Sequence, residues 1–268
     1  ALCPAFDPLI DALRQRKAAG ERAPYLHIQP MGGDEESILL AREHSDGIAD
    51  GTWEDLYRYF NYGGPINVQR ALICLNAVLN WSGEMLAPPE PVPLDGLYHP
   101  DLGYVSDVAA YVRDRIDPNR PTVGLWTFQT YWLNGNLAHI DALIREIEAQ
   151  GANVLPVFSM RLKDAALGNR GSDEIIQTYF MDGGRPRIDV LINVMSMSMT
   201  LTHADYRRLF PELDVAVLQA MTSTNPYAVW KESVQGMSVM DVTFQAAQPE
   251  FDGNLIALPV ATREEDTI

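Results

Sequence analysis

Aromatic, amide and imidazole side chains are concentrated between residues 129 and 139. This stretch contains Tyr131, Trp132, Asn136 and His139, and it follows an apolar run that is typical of a buried strand. A loop that only reverses the chain needs none of these side chains. Loops that leave the carboxyl ends of parallel strands, in contrast, commonly bind ligands. The residue types therefore predict a ligand-binding loop, with Tyr131, Trp132 and Asn136 among the residues that contact the ligand.

His139 lies near the start of a predicted helix, directly after this loop. The positive end of the helix dipole disfavours a protonated imidazole. A neutral imidazole can bind a metal ion or accept a proton. We predict that His139 is a catalytic and metal-binding residue; the alternative is a partly buried polar contact without a chemical role.

Two carboxylates, Glu250 and Asp252, are two residues apart and precede a glycine in the segment Pro-Glu-Phe-Asp-Gly. Carboxylate oxygens at this spacing suit ligation of a divalent cation or the removal of a proton. We predict Glu250 as a catalytic residue and both residues as metal ligands. The alternative is a solvated turn before the last strand.

A further histidine, His99, follows a proline-rich segment in the sequence Tyr-His-Pro-Asp. His99 and Asp101 could both face a ligand, and we include His99 among the predicted metal ligands. The alternative is a turn in which Asp101 caps the following helix.

Methionines and hydroxyl residues alternate over residues 195–200, directly after a predicted buried strand. Methionine adapts to irregular apolar surfaces. Together with aromatic residues near the same edge, this segment could form a flat-walled cleft for a large planar ligand; an extended segment with core methionines is the alternative. The predicted wall comprises Trp126, Tyr131, Trp132, Met197, Met221 and Trp230.

Strands and helices are predicted to alternate along the C-terminal half of the chain. Apolar runs predict strands at 123–128, 154–158, 189–194, 215–220 and 255–260, and helical periodicity predicts helices at 137–147 and 204–210. This order is typical of an α/β fold with a parallel sheet, Rossmann-like or flavodoxin-like. The loops after the strands then meet at one edge, so we expect His139 and Glu250 in one cleft.

The organisation of the whole chain follows from its prolines. Four prolines in residues 88–93 and a second break at 117–121 cannot lie inside a helix or a central strand. We therefore predict a mostly helical N-terminal part at 1–87, a connector with one helix at 88–120, and the α/β domain at 121–268. Only one short strand, at 25–28, is predicted in the N-terminal part, so we expect that part to be truncated.

Composition excludes several classes of function. The chain has 268 residues, is 47% hydrophobic and carries a net charge of −16, which argues against nucleic-acid binding and against docking on anionic membranes. No apolar run is long enough for membrane insertion. The sequence contains no phosphate-binding glycine loop. With two cysteines and no secretory signal pattern, we expect a cytoplasmic protein; if its activity consumes ATP, another subunit should bind the nucleotide.

At these residues the chain resembles a known family. The segments GLYHPD, PTVGLWTFQTYWLNGNLAHIDALIREIEAQGANVLPVFS, DVLINV, LDVAVLQ, WKESVQGMSVMDV and QPEFDGNLIALP, in this order, are similar to the large subunit of cobaltochelatase. They are also similar, more distantly, to the porphyrin-binding H subunit of magnesium chelatase. The upstream segment GTWEDLYRYFNYGGPINVQRALI fits the same family, and the Tyr-His-Pro-Asp segment favours the cobalt type.

The resemblance implies a function. Such subunits bind the tetrapyrrole substrate and a divalent metal ion, cobalt here or magnesium as the alternative, while ATP is bound by separate AAA+ ATPase partner subunits. The implied reaction is cobalt insertion into hydrogenobyrinic acid a,c-diamide in cobalamin biosynthesis. Alternatives are magnesium insertion into protoporphyrin IX, a non-catalytic tetrapyrrole-binding module, and a structural piece of a larger assembly. Family members are far longer than this chain, so we expect the chain alone to be inactive.

Overall fold

The computed structural model describes residues 6–21, 25–30, 32–80, 86–198 and 209–264. The chain forms two compact units. We call residues 1–92 with 162–169 the helical unit, and residues 93–161 with 170–268 the sheet unit. Among the described helices, none is both long enough and apolar enough to cross a membrane.

The described part of the helical unit contains four helices: α1 (Phe6–Ala18), α2 (Glu35–His44), α3 (Asp50–Tyr62) and α4 (Gly64–Asn80). Asp34 caps α2, because its carboxylate accepts a hydrogen bond of 2.8 Å from the Ser37 amide. Gly63, with a positive φ of 66°, separates α3 from α4. The strand predicted at 25–28 is reduced to a single antiparallel bridge between Leu26 and Asp46.

Helix α3 supplies the centre of the helical unit. It buries Trp53, Leu56, Tyr57 and Tyr59, which pack in two small apolar clusters with residues of α2 and α4. The segment 162–169 joins this unit through Asp164, whose buried carboxylate accepts a 2.5 Å hydrogen bond from the Tyr57 hydroxyl. The same carboxylate also accepts the backbone amides of Ala166 and Leu167.

The sheet unit is built on a seven-stranded sheet of order β2-β1-β4-β3-β7-β8-β9. A separate hairpin pairs β5 with β6. The strands are β1 (Asp95–His99), β2 (Gly103–Val105), β3 (Thr122–Phe128), β4 (Asn153–Ser159), β5 (Met181–Asp182), β6 (Arg185–Pro186), β7 (Val190–Asn193), β8 (Ala216–Ser223) and β9 (Leu255–Thr262).

Strands β4, β3, β7, β8 and β9 are parallel to one another, with register partners such as Val123 with Val154 and with Val190. Strand β1 runs antiparallel to β4, and β2 antiparallel to β1. The sheet is therefore mixed but mostly parallel. This confirms the predicted α/β fold with a mostly helical N-terminal region.

Within the residues that the structure describes, helices and two π-helical segments connect the strands. They are α5 (Val108–Arg115), α6 (Gln129–Leu133), α7 (Ala138–Ala149), α8 (Ser172–Ile175) continued by a π-helix (Ile176–Phe180), α9 (Leu209–Leu213), α10 (Tyr227–Glu232), and α11 (Val239–Val242) continued by a π-helix (Thr243–Ala247) and α12 (Gln248–Glu250). Most of the helix predicted at 204–210 lies outside the described residues; within them, α9 begins at Leu209.

Two apolar clusters form the core of the sheet unit. Leu125 packs with Ile140 and Ile144 of α7, whereas its neighbour Trp126 packs with Phe180 and Phe210. Adjacent strand residues point to opposite faces, so the two clusters cover the two sides of the sheet. Trp126 is fully buried and Met221 nearly so. They are core residues, and the expectation that they line a cleft was wrong.

The connector predicted at residues 88–120 is not a separate region in the division of the chain into a helical unit and a sheet unit. Residues 93–120 contribute β1, β2 and α5 to the sheet unit instead of forming a separate connector. The physical reason is the pairing of β1 with β4, in which Leu97 lies opposite Val157 and is fully buried. A five-residue strand that ends in Tyr-His gives no clear period-two signal in the sequence.

Candidate functional site at the carboxyl edge of the sheet

The parallel strands β4, β3, β7, β8 and β9 all end at one edge of the sheet, which we call the carboxyl edge. Ligands in open α/β sheets bind outside this edge. The segments that leave it include Arg161 after β4, the loop before α7 after β3, and residues 194–198 after β7.

Ser198 and Asp252 join the segment after β7 to the segment before β9. The Ser198 hydroxyl donates a 2.6 Å hydrogen bond to Asp252 Oδ1, and both residues are buried, at 1% and 7% exposure. The Ser198 amide also donates to Gln248 Oε1 at 3.3 Å. The predicted metal ligand Asp252 is therefore held inside the protein by side chains of the chain itself.

Arg161 and the predicted ligand contact Met197 complete this group, which we call the Arg161 cluster: Arg161, Met197, Ser198 and Asp252. Arg161 Nη1 donates to the Met197 sulfur at 3.1 Å, and Nη2 donates to the Ser198 carbonyl oxygen at 3.2 Å. Burial lowers the pKa of the Arg161 guanidinium, and the nearby charge of Asp252 opposes this effect.

The backbone at Met197 is unusual. Met197 has a positive φ of 68°, and its amide donates to the carbonyl oxygen of Phe244 in the π-helix that follows α11. A non-glycine residue in the left-handed region is uncommon, and π-helical segments are enriched at functional sites. The fold therefore maintains an unfavourable local geometry beside Asp252.

A network of buried amide side chains supports the cluster from within the sheet. Gln219 Oε1 accepts from Asn193 Nδ2 at 3.1 Å and from Asn254 Nδ2 at 2.7 Å, and Gln219 Nε2 donates to the Met195 carbonyl oxygen. Neither Arg161 nor these amides was singled out from the sequence. A usable signal was present, because Asn193 and Gln219 interrupt the apolar runs of two predicted buried strands.

His139, in the first turn of α7, and Tyr131, on α6, form a separate contact. Their rings meet edge to face, with centroids 4.7 Å apart, and Tyr131 is half-buried. Burial lowers the pKa of the His139 imidazole below its usual value, which keeps the ring neutral at pH 7. His139 Nε2 is buried without a hydrogen-bond partner among the described residues.

The remaining predicted contacts differ in their surroundings. Trp132 stacks on Phe158, with ring centroids 4.7 Å apart and planes 5° from parallel. Asn136 is exposed, and its backbone N–H donates to the Tyr131 carbonyl oxygen at 2.9 Å. Trp230 is half-buried on α10, with Tyr227 as its aromatic neighbour at 6.0 Å.

Glu250 is exposed at the end of α12, in contrast to the buried Asp252 two residues later. The two carboxylates therefore have different surroundings, although the sequence places them side by side. No hydrogen bond, ion pair or ring contact among the described residues joins Glu250 to His139, and their convergence on one ligand remains a prediction.

Comparison with known proteins assigns the family. A family model described as CobN/Magnesium Chelatase matches residues 57–268. The chain belongs to this family.

Relatives of both metal types are found. The chain is 30% identical to the aerobic cobaltochelatase subunit CobN of Sinorhizobium sp over 213 residues, which are 77% of this chain and 16% of that protein. It is 31% identical to the magnesium-chelatase H subunit of Cereibacter sphaeroides over 237 residues, 82% of this chain and 17% of that protein. The chain thus spans less than a fifth of the length of these two relatives.

A solved structure shares the fold. The catalytic subunit of cobaltochelatase from Mycobacterium tuberculosis matches with a TM-score of 0.50 and 22% sequence identity. The match covers 98% of this chain and 20% of that chain. At this identity the likeness supports the fold of this CobN/Magnesium Chelatase family member alone.

In this family member, His99 lies away from the Arg161 cluster. It is fully buried at the end of β1, and its Nε2 is 3.1 Å from Glu148 Oε1 near the end of α7. His139 is near the start of the same helix, and positions 139 and 148 are about 14 Å apart along a helix axis. One ion cannot contact both histidines, because ligand distances are about 2–2.6 Å.

Both ring nitrogens of His99 are occupied within the chain. The Asp101 backbone amide donates to Nδ1 at 3.1 Å, and Nε2 lies 3.1 Å from both Glu148 Oε1 and Arg115 Nη2. Glu148 also accepts from Arg115 and Arg145. In this arrangement neither nitrogen is open to a metal ion. The described residues contain no group of three or more His, Cys, Asp or Glu side chains able to hold one.

We expect His99→Ala to act on stability and not on metal binding. Removing the fully buried ring leaves a cavity and takes away the hydrogen bonds to Glu148 and to the Asp101 backbone amide, which should lower the free energy of unfolding by about 1–3 kcal/mol. Denaturant unfolding measures this loss, and calorimetric titration with Co²⁺ should give an unchanged affinity. His139→Ala is the matched comparison, with a reduced Co²⁺ affinity expected. Reduced affinity in His99→Ala at unchanged stability would contradict the structural role.

Proposed function

We propose that this chain is the tetrapyrrole- and metal-binding portion of an ATP-dependent metal chelatase that inserts cobalt into hydrogenobyrinic acid a,c-diamide in cobalamin biosynthesis. The observation that carries the proposal is the Arg161 cluster. In a chain of the CobN/Magnesium Chelatase family, it places a buried carboxylate, Asp252, at the edge of the sheet where ligands bind.

The proposed chemistry follows from the requirements of metal insertion. The divalent ion is a substrate that must lose water, and two protons must leave the pyrrole-type nitrogens of the macrocycle. Glu250 is proposed to accept a proton, with the neutral imidazole of His139 as a second acceptor. Glu250, His139 and Asp252 are proposed to attract the ion individually, since the described residues hold no preformed group of three ligands.

The macrocycle is proposed to lie against the aromatic and thioether side chains of the carboxyl edge. Large planar ligands bind between apolar walls with a few polar groups that set their orientation. The residues proposed to contact it are Tyr131, Trp132, Asn136, Met197 and Trp230.

ATP is proposed to bind to AAA+ partner subunits in the cytoplasm. We expect the purified chain to show no ATPase activity, because its sequence has no phosphate-cradling glycine loop. A coupled assay of ADP release measures this, with added partner subunits as the positive control. Turnover that persists through successive purification steps, and at a constant ratio to this protein, would contradict the assignment of ATP to the partners.

Magnesium insertion into protoporphyrin IX is the second candidate. It is favoured by the similar identity of the chain to cobalt-type and magnesium-type relatives, at 30% and 31%. The test is an insertion assay with the full-length protein, partner subunits and ATP, in which each metal is offered with each macrocycle. Cobalt insertion into the corrin precursor would support the proposal. Magnesium insertion into protoporphyrin IX would contradict it and support the second candidate.

A non-catalytic tetrapyrrole-binding module is a third candidate. It is favoured by the absence of a grouped set of metal ligands among the described residues. In the same assay, tight macrocycle binding by the full-length protein without insertion of either metal would support this alternative and exclude both chelatase candidates.

A further inference from the structure

The hydrogen-bond acceptors of the Arg161 guanidinium are uncharged groups. Its two hydrogen bonds go to a thioether sulfur, at 3.1 Å, and to a backbone carbonyl oxygen, at 3.2 Å. A guanidinium carries five N–H donors in a planar fork that matches a carboxylate. The thioether of Met197 is a weak acceptor, so one side of this fork is held by an interaction that a stronger acceptor would replace.

The Nε–H donor of Arg161 is also unsatisfied. Nε is buried and has no hydrogen-bond partner in the described part of the chain. A buried donor without a partner destabilises the folded protein. Such groups are uncommon in native proteins and call for an explanation, of which a ligand atom is one.

The position of Arg161 connects this unsatisfied donor to ligand binding. Arg161 lies two residues after the end of β4 at the carboxyl edge, and Met197 beside it is held in the left-handed region. Methionine is unbranched and flexible, so its sulfur can move aside without disturbing the backbone hydrogen bond from Met197 to Phe244. An incoming anion could thus reach the fork by displacing one side chain.

We propose that the Arg161 guanidinium is the receptor for a carboxylate side chain on the rim of the tetrapyrrole. The inference rests on the proposed function, and it adds the group that orients the macrocycle. Biosynthetic tetrapyrroles carry acetate or propionate side chains, which are the planar anions that arginine binds through two parallel N–H bonds. Asp252 remains bonded to Ser198 in the same cluster.

The test is a pair of titrations on the full-length protein in one mild-detergent buffer, followed by quenching of tryptophan fluorescence. The ligands are coproporphyrin, whose rim carries carboxylates, and its methyl ester, which has the same ring without the charges. Arg161→Gln is expected to weaken coproporphyrin binding by about 10–100-fold, since hydrogen bonds to charged groups contribute about 1.5–3 kcal/mol. Binding of the ester should stay at the wild-type level.

Two further variants control the result. Arg113→Gln removes the same charge from an exposed position on α5 and should leave both affinities unchanged. Arg161→Lys keeps the charge but loses the fork, so its affinity for coproporphyrin should fall between wild type and Arg161→Gln. If Arg161→Gln does not fold, Arg161→Lys tests the receptor role. It should bind coproporphyrin more weakly than the wild-type protein and bind the methyl ester with unchanged affinity.

The outcomes separate this inference from the function on which it rests. If the wild-type protein binds coproporphyrin and the Arg161 variants bind it with the same affinity, the receptor role is overturned and the proposed function is not. If the variants bind coproporphyrin and its methyl ester with equally reduced affinity, the receptor role is also overturned, and Arg161 is a structural residue. Failure of the wild-type protein to bind either macrocycle would overturn the receptor role, whereas the insertion assay with the corrin precursor tests the proposed function separately.

Discussion

Glu250→Gln is expected to reduce metal insertion by about 10²–10⁴-fold, the usual contribution of one general base. Glutamine keeps the shape of the side chain and removes the anionic oxygen that would accept a pyrrole proton. Glu250 is exposed at the end of α12, so a folding defect is not expected. The measurement is an insertion assay of the full-length protein with partner subunits and ATP.

The macrocycle should still bind to the Glu250→Gln protein, because dispersion and stacking on the aromatic side chains do not depend on this charge. A fluorescence titration of macrocycle binding, run beside the insertion assay, checks this. Glu232→Gln, at an exposed position of α10, is the matched control and should insert metal at the wild-type rate. Wild-type insertion by Glu250→Gln would return Glu250 to the role of a solvated turn residue.

Trp126→Ala is expected to destabilise the sheet unit by about 3–5 kcal/mol, the range for removal of a large buried aromatic side chain. Trp126 is fully buried, packs edge to face with Phe180 and Phe210, and donates from its indole nitrogen to Ser159 Oγ at 2.9 Å. Thermal unfolding should show a lower Tm, by roughly 2–4 °C for each kcal/mol.

Trp230→Ala makes the same chemical change at a half-buried position on α10. We expect a stability loss of about 1 kcal/mol or less, together with weaker macrocycle binding. The two variants are therefore expected to have opposite effects: Trp126→Ala loses stability, and Trp230→Ala loses ligand affinity. A large drop in Tm for Trp230→Ala, or wild-type stability of Trp126→Ala, would contradict these opposite roles.

Local sequence patterns were sufficient for most of the secondary structure of the sheet unit. The apolar runs at 123–128, 154–158 and 215–220 correspond to β3, β4 and β8, and helix α7 matches the predicted periodicity at 137–147. These patterns succeed because a buried parallel strand and an amphipathic helix each carry their signal within a few residues. Strand β1 was missed because only its pairing with β4 identifies it as a strand.

The candidate site was predicted in part. The sequence indicated the loop with His139, the segment with Met197 and the pair Glu250 and Asp252, because residue type alone marks these groups as able to bind metal or a planar ligand. It did not indicate Arg161, since an arginine after a strand is ordinary. Its proposed role rests on an Nε without a hydrogen-bond partner among the described residues and on contacts to residues more than thirty positions away.

The sequence by itself determined the order of strands and helices, the resemblance to a chelatase family and the chemical types of the candidate residues. The tertiary structure alone decided which of these residues contact one another and which are buried. It separated Trp126 from Trp230, and it placed His99 at the other end of α7 from His139. The physical reason is that burial and proximity depend on strand pairing and on which face of the sheet each side chain occupies. Those long-range contacts leave only a weak mark on the local sequence.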